Sequence, residues 1–180
     1  MKKKEVFIRP IQEKEDDAVY QMFQDIPATQ NDATNRANGL SRIEFDTFCK
    51  KMTERSIAAA NGRKKFSDNR IPQTIYIIFD NDVPVGFGKF RPFLNEACIK
   101  IRAGHFGYMI SPKYQGKGYA TQLLSFLKEE ARKIGLQEIE GVARKKNSAS
   151  CRVMEKNGGK IKEHIDKDVV YTIALQTKTR

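Results

Sequence analysis

The sequence predicts a single α/β domain of the α+β kind: a central mixed, mostly antiparallel sheet with helices on both faces. Three observations carry this. Apolar periodicity gives the element order β-α-α-β-β-β-α-β-α-β-β over 180 residues, a length that suits one domain. Only one strand–helix–strand crossover is present, which implies one locally parallel pair, whereas a doubly wound dinucleotide fold needs several. Apolar residues make up 39% and charged residues 31%, enough for a core beneath a densely charged surface.

Each element has its own signal. "VFIRPI" (6–11) reads as a short strand. In "QEKEDDAVYQMFQDI" (12–26), Ala18, Val19, Met22, Phe23 and Ile26 recur at helical spacing behind an acidic start. Residues 27–40 are rich in turn formers and read as a loop. Ser41 and Glu44 form a capping-box pattern that opens a second helix to about Ala60. After the loop "NGRKKFSDNRIP", the β-rich "QTIYIIFD" and "VGFGKF" flank a tight turn at 81–83. "GHFGYMIS" is a third strand of this group, and a helix follows over roughly 117–134. Its residues Ala120, Leu123, Leu124, Leu127, Ala131 and Ile134 share one face, and Gly135 is placed to stop it. "EIEGVA" (138–143) is a strand, Asn147 caps a short helix to about Asn157, and "KIKEHI" with "VVYTIAL" closes the chain as a hairpin.

Composition narrows the function classes. No run approaches the 18 apolar residues a membrane span needs, and "MKKKEVFIRP" has too short an apolar stretch for a signal peptide. Cys49, Cys98 and Cys151 are far apart and odd in number, which suggests neither a zinc site nor a disulfide framework and points to a reduced cytoplasm. The net charge of +11 favours anionic partners, but lysine and arginine are spread along the chain. No aromatic-basic platform for nucleic acid is visible.

The stretch "YQGKGYATQLL" (114–124) sets Gly116 and Gly118 against the start of the long helix, where glycine is a poor choice for nucleation. They serve either a tight turn out of the strand or a loop whose bare N–H groups approach an anion. The Walker pattern G-x-x-x-x-G-K-[ST] is absent, and the Rossmann fingerprint lacks its third glycine.

"GYMISPKYQGKGYATQLL" resembles the cofactor loop of the GNAT superfamily of N-acetyltransferases, Q/R-x-x-G-x-G/A after a strand and before a long helix. Here it stands as Gln115-Gly116-Lys117-Gly118-Tyr119-Ala120, preceded by Ile110-Ser111-Pro112. "NSASCRVMEKNGG" resembles the family's second signature, an Asn that opens a helix ending in a glycine turn. The resemblance covers at least residues 74–176, the acetyl-CoA side, and leaves 1–73 as the acceptor side of one 1–180 domain. "RPFLN" and "AGHFGYMISP" are similar to a bacterial branch of predicted acetyltransferases.

The resemblance implies acetyl-CoA as acyl donor, no metal, and direct attack of a small-molecule or peptide amine on the thioester, with a homodimer compatible. Gly116 to Thr121 would cradle the pyrophosphate, with Lys117 near further phosphate charge and Gln115 shaping the loop. Tyr108, Met109 and Ile110 would bond the pantetheine arm through their backbone, and Asn147 would touch it. The family often places a tyrosine seven residues after that Asn as the acid that meets the thiolate, but Met154 stands here. Cys151, Tyr119 and Tyr171 are the alternatives, each also readable as a packing residue. His105 is the preferred general base, against a structural histidine, with Glu96 behind it. A non-catalytic acyl-CoA sensor and a basic nucleic-acid module are the competing readings, the latter the weaker.

Overall fold

In the computed structural model the described residues are 5–30, 33–62 and 71–175. They form β1 (Val6–Pro10), α1 (Asp17–Asp25), β2 (Thr29–Gln30), β3 (Ala33–Thr34), α2 (Arg42–Ala60), β4 (Thr74–Asp80), β5 (Val83–Phe90), α3 (Glu96–Lys100), β6 (Phe106–Ile110), α4 (Tyr119–Lys133), β7 (Glu138–Arg144), α5 (Ser148–Lys156), β8 (Gly159–Ile165) and β9 (Asp168–Ala174). A single 3-10 turn, Pro112–Tyr114, lies between β6 and α4.

The expected caps are in place. Ser41 and Glu44 make the reciprocal capping box of α2, and Asn147 Oδ1 accepts from Ser150 N–H at 3.1 Å at the start of α5. Two features were not expected. The 27–40 segment holds the β2–β3 pair, which is too short to show a periodicity. Helix α3, five residues long, is opened by Asn95 inside what reads as loop.

Strand β4 is buried on both faces, so it sits inside a sheet of order β1-β4-β5-β6. Its side chains alternate between two cores. Ile75, Ile77 and Phe79 pack with α1 and α2 through Phe23, Phe45 and Met52. Tyr76 and Ile78 join Leu123, Leu124 and Leu127 of α4 on the opposite side. Helices therefore cover both faces, as expected.

The topology departs from expectation at the crossover. Every ladder among the described residues is antiparallel, and β7 belongs to a second sheet, β7-β9-β8. The pair joined by α4 touches only at its beginning, where His105 N–H donates to Glu140 C=O at 2.8 Å. Beyond that point β6 and β7 diverge. A Cβ on Gly141 would lie 2.2 Å from the Phe106 ring, so the glycine lets the strands meet at this one end. Gly141→Ala should destabilise the fold by about 1–3 kcal/mol in urea unfolding, because the added methyl overpacks the junction. Gly107→Ala, where a Cβ meets nothing within 4 Å, should leave the midpoint nearly unchanged.

Candidate active site

The divergence leaves one edge of β6 bare. Arg91 N–H donates to His105 C=O and Ser111 N–H to Val85 C=O, at 2.6 and 2.9 Å. Between these points β5 and β6 run in antiparallel register, Gly86 opposite Ile110 and Lys89 opposite Gly107. Alternation then turns the backbone of Gly107 and Met109 toward β5, and that of Phe106, Tyr108 and Ile110 toward the gap. Gln115 donates from Nε2 to the Ile110 carbonyl at 3.1 Å.

The gap is a cleft of about 680 Å³. Tyr108, Met109 and Ile110 line it on one side, Val142 to Arg144 on the other, and Asn147, Ser150 and Met154 of α5 close it. At its far end stands the N-terminus of α4. Gly116 and Gly118 have φ of +74° and +87°, and Gly118 is the N-cap with no side-chain capping bond. The turn thus requires glycine for its conformation, and the first N–H groups of α4 open toward the cleft with Gly116, Gly118, Ala120 and Thr121 in its wall. The positive end of the helix dipole adds to their pull on an anion.

The profile of the acetyltransferase (GNAT) domain matches residues 5–160. The chain belongs to the GNAT acetyltransferase family. Its donor is therefore acetyl-CoA and its reaction class acetyl transfer. No curated protein matches the chain in sequence. Among solved structures, an N-acetyltransferase from Staphylococcus aureus Mu50 is 18% identical, covers 96% of this chain and 99% of its own, and gives a TM-score of 0.63. The yncA protein of Salmonella typhimurium, solved with acetyl-CoA, is 16% identical over 97% and 96% of the two chains, with a TM-score of 0.61. Campylobacter jejuni PseH with acetyl coenzyme A is 10% identical over 96% and 100%, at 0.58. At these identities the likeness is one of fold.

The GNAT domain brings together most of the residues singled out in the sequence and disperses others. Tyr119 lines the cleft, but its side chain is 1% exposed and its hydroxyl donates to Asp80, which leaves its backbone to face the opening. Lys117 is exposed and outside the lining, its ammonium 5.2 Å from the centre of the Tyr114 ring. Arg152 and Lys156, one turn apart on α5, line the cleft instead, and nothing in the loop motif points to them.

His105 and Cys151 do not reach the cleft. Cys151 packs on the other face of α5, its thiol 3.9 Å from the Arg144 carbonyl, so it is a poor candidate for chemistry there. Glu96 is exposed in the first turn of α3 and lines neither this cleft nor the one described below. Tyr171 donates to Glu155 at 3.0 Å.

His105 Nδ1 accepts from Glu140 N–H at 3.0 Å, beside the His105 N–H to Glu140 bond. The remaining proton of the neutral ring is then on Nε2, and no lone pair is free to receive a substrate proton. The expectation of a base at His105 finds no support in this geometry, which is that of a clasp between the sheets. Burial lowers its pKa, with Arg91 acting the same way and Glu140 and Glu138 opposing.

One hydroxyl pair was missed. The Tyr108 phenol lies 2.9 Å from Ser150 Oγ, joining β6 to α5 across the cleft, and burial pushes the phenol up to about 12. Only the Asn147 helix pattern could have pointed to it, since Ser150 shares a helix face with Met154 four residues on.

A second cavity of about 710 Å³ lies on the α1–α2 face. It is floored by Phe23, Phe48, Met52 and Phe87 and meets the first cleft at Ile101, which lines both.

Because the folded pKa of His105 is below its unfolded value, the clasp contributes stability that is complete above the unfolded pKa of ~6.5 and is lost as pH falls through the folded pKa. Urea midpoints of wild type should therefore drop below about pH 6.5. In His105→Gln, whose amide oxygen can accept the same bond, that part of the drop should vanish.

Proposed function

We propose that this GNAT domain moves the acetyl group of acetyl-CoA to a primary amine by direct attack, with the donor in the cleft between β6 and β7. The observation that carries this is the alignment of the bare β6 edge with the uncapped start of α4. One offers paired N–H and C=O groups to the amides of a pantetheine arm, and the other offers N–H groups to a pyrophosphate. In this reading the backbone of Tyr108 and Ile110 holds the arm, while the Met109 backbone is engaged with β5. Gly116 to Thr121 cradle the pyrophosphate. Gln115 braces the loop through the Ile110 carbonyl, and Arg152 and Lys156 supply the charge that the sequence assigns to Lys117. Asn147 caps α5 and lies beside the arm. The outward-facing Tyr108 N–H, beside Gly107 and farther from the α4 cradle than Ile110, is the donor for the thioester oxygen as it gains charge.

Bound acetyl-CoA supplies an activated acyl group and a thiolate leaving group. The acceptor side is formed by the described residues that precede β4 together with β5 and α3, and the amine crosses to the thioester past Ile101. Met154, 2% exposed, packs and donates no proton. The Tyr108–Ser150 pair is the proton source for the departing sulfur. No side chain is assigned as the base, and the acceptor attacks as the free amine. No described helix is long and apolar enough to cross a membrane. The three free thiols suit a reducing cytoplasm.

Gly118→Asp should abolish acetyl-CoA binding in calorimetry while the far-UV spectrum is retained, because it puts a carboxylate and a strained φ at the N-cap. Unchanged affinity in a folded variant would remove the α4 cradle from the site. Tyr108→Phe should lower kcat by on the order of 10²-fold with acetyl-CoA affinity intact. Met154→Leu should be nearly neutral in both. Tight acetyl-CoA binding without thiol release across a broad amine panel would identify a sensor in place of an enzyme.

A further inference from the structure

The second cavity is lined by cations from separate parts of the chain. Lys89 and Arg91 stand two residues apart at the end of β5, on one face of the strand. Arg36 reaches the same space from the loop after β3, and Lys51 and Arg55 come from α2. Among the described residues its one carboxylate is Glu44, which is already held by Ser41 in the capping box of α2.

The cations at the centre are held in place by neutral groups. Lys89 Nζ donates to the Thr34 carbonyl at 3.1 Å, and Arg91 donates to the Gly104 carbonyl at 3.0 Å. Among the described residues Arg36, Lys89 and Arg91 form no ion pair. Burial pulls Lys89 down to about 8, and Arg91, Arg36 and Arg55 add to the shift by repulsion. Burial lowers Arg91 as well, and Arg36 acts the same way. Clustering like charges in a half-buried cavity is costly, and an anion placed among them relieves the cost.

The cluster is also next to the chemistry. Lys89 lies opposite Gly107 in the β5–β6 ladder, and Gly107 lines the acetyl-CoA cleft with open space where a side chain would stand. Beneath the cations the cavity floor is aromatic and aliphatic. A volume of about 710 Å³ with an apolar floor and a few convergent charges suits a small molecule.

We infer that the acceptor is a small anionic amine, an apolar body carrying a carboxylate or a phosphorus oxyanion, whose anion is held by Lys89, Arg91 and Arg36 while its amine faces Gly107 and the thioester. This rests on the acetyl-transfer reading above and narrows it. Polyamines and aminoglycosides are rejected by the same charges, since a cation brought among them adds to the repulsion.

The test uses the full chain and three acceptors that share one body: phenethylamine, phenylalanine and the phosphonate analogue of phenylalanine. Turnover is read by thiol release, and binding in the presence of CoA by calorimetry. One or both anionic members should exceed the neutral amine in kcat/KM or affinity by about 10- to 100-fold, the size of a charge-assisted pair. The two anionic arms decide between carboxylate and phosphorus oxyanion. Lys89→Met should erase most of that preference through KM, and Lys89→Arg should keep it. Arg36 is exposed, so Arg36→Ala reads the preference without disturbing the interior. Equal or better use of phenethylamine, or a preference unmoved by Lys89→Met and Arg36→Ala, overturns the inference and leaves acetyl transfer standing. Lys89-dependent binding of the anionic members without turnover overturns the acetyl-transfer reading, and the acceptor role with it, and leaves an anion-binding site. Acetylation confined to acidic peptide N-termini would overturn the small-molecule class.

Discussion

Strand β6 is bonded along one edge only, and the rest of the molecule is arranged around that fact. Its partner on the other side, β7, is brought to it at His105 and Glu140 and nowhere else along its length. An unpaired strand edge inside a fold is costly, because the exposed N–H and C=O groups need water or a partner. Two contacts limit the approach of the strands to that one end. Gly141 lets the Phe106 ring fill the junction, and the Tyr108–Ser150 bond holds α5 against the opened side. Closing the gap into a regular pair would displace α5 and the Met154 side chain from the core they share with α4. The opening is thus held by packing on both sides, and a ligand with its own amide groups can enter it as a strand would.

Much of this was legible in the sequence because it rests on local patterns. Helix α4 announces itself through six apolar positions, and its start through Gly116 and Gly118. The reason for those glycines differs in part from the one the sequence suggests. A tight turn and a close approach to an anion were the two explanations the sequence offered, and the functional reading leaned on the second; the structure shows positive φ at both, a requirement on the turn itself. The two needs coincide, since a turn with that backbone also points its N–H groups outward. What depended on distant contacts was not legible. His105 precedes the strand by one residue and looks poised for chemistry, but its partner is the backbone of Glu140, 35 positions away. Lys117 sits inside the motif yet lies on Tyr114, while Arg152 and Lys156 reach the cleft from α5. Helix α3 and the β2–β3 pair are too short to leave a periodic trace, although they shape the boundary between the two cavities.

The electrostatics follow the same division. A net charge of +11 reads from sequence as a general affinity for anions. In three dimensions some of that charge is balanced locally: Arg102 and Arg144 meet Asp168, with Asp166 joining Arg102, where the β8–β9 turn approaches the cleft. The acceptor-side cations are different in kind. Lys89 and Arg91 are anchored to carbonyl oxygens, which fix a position without cancelling a charge. Surface lysines contribute weak, screened attraction, but charges held at a cavity wall act over short distances and in a fixed direction.

The methionine at position 154 can be understood from the same geometry. The residue is buried among side chains of α4 and the β7–β9 sheet, where a phenol would need a partner for its hydroxyl. The proposed proton source, Tyr108, lies on the facing strand with Ser150 already beside its hydroxyl. Moving the phenol from helix to strand keeps a hydroxyl in the cleft and leaves α5 free to pack. The demand on it is modest, because a thiolate is a far better leaving group than an alkoxide or an amine anion. An acid with a pKa pushed up to about 12 is weak, but it needs only to share its proton with a sulfur that departs readily. Burial keeps the Tyr108 phenol protonated but makes it a weaker acid, so its proposed role rests on its position beside Ser150 in the cleft and not on its pKa shift.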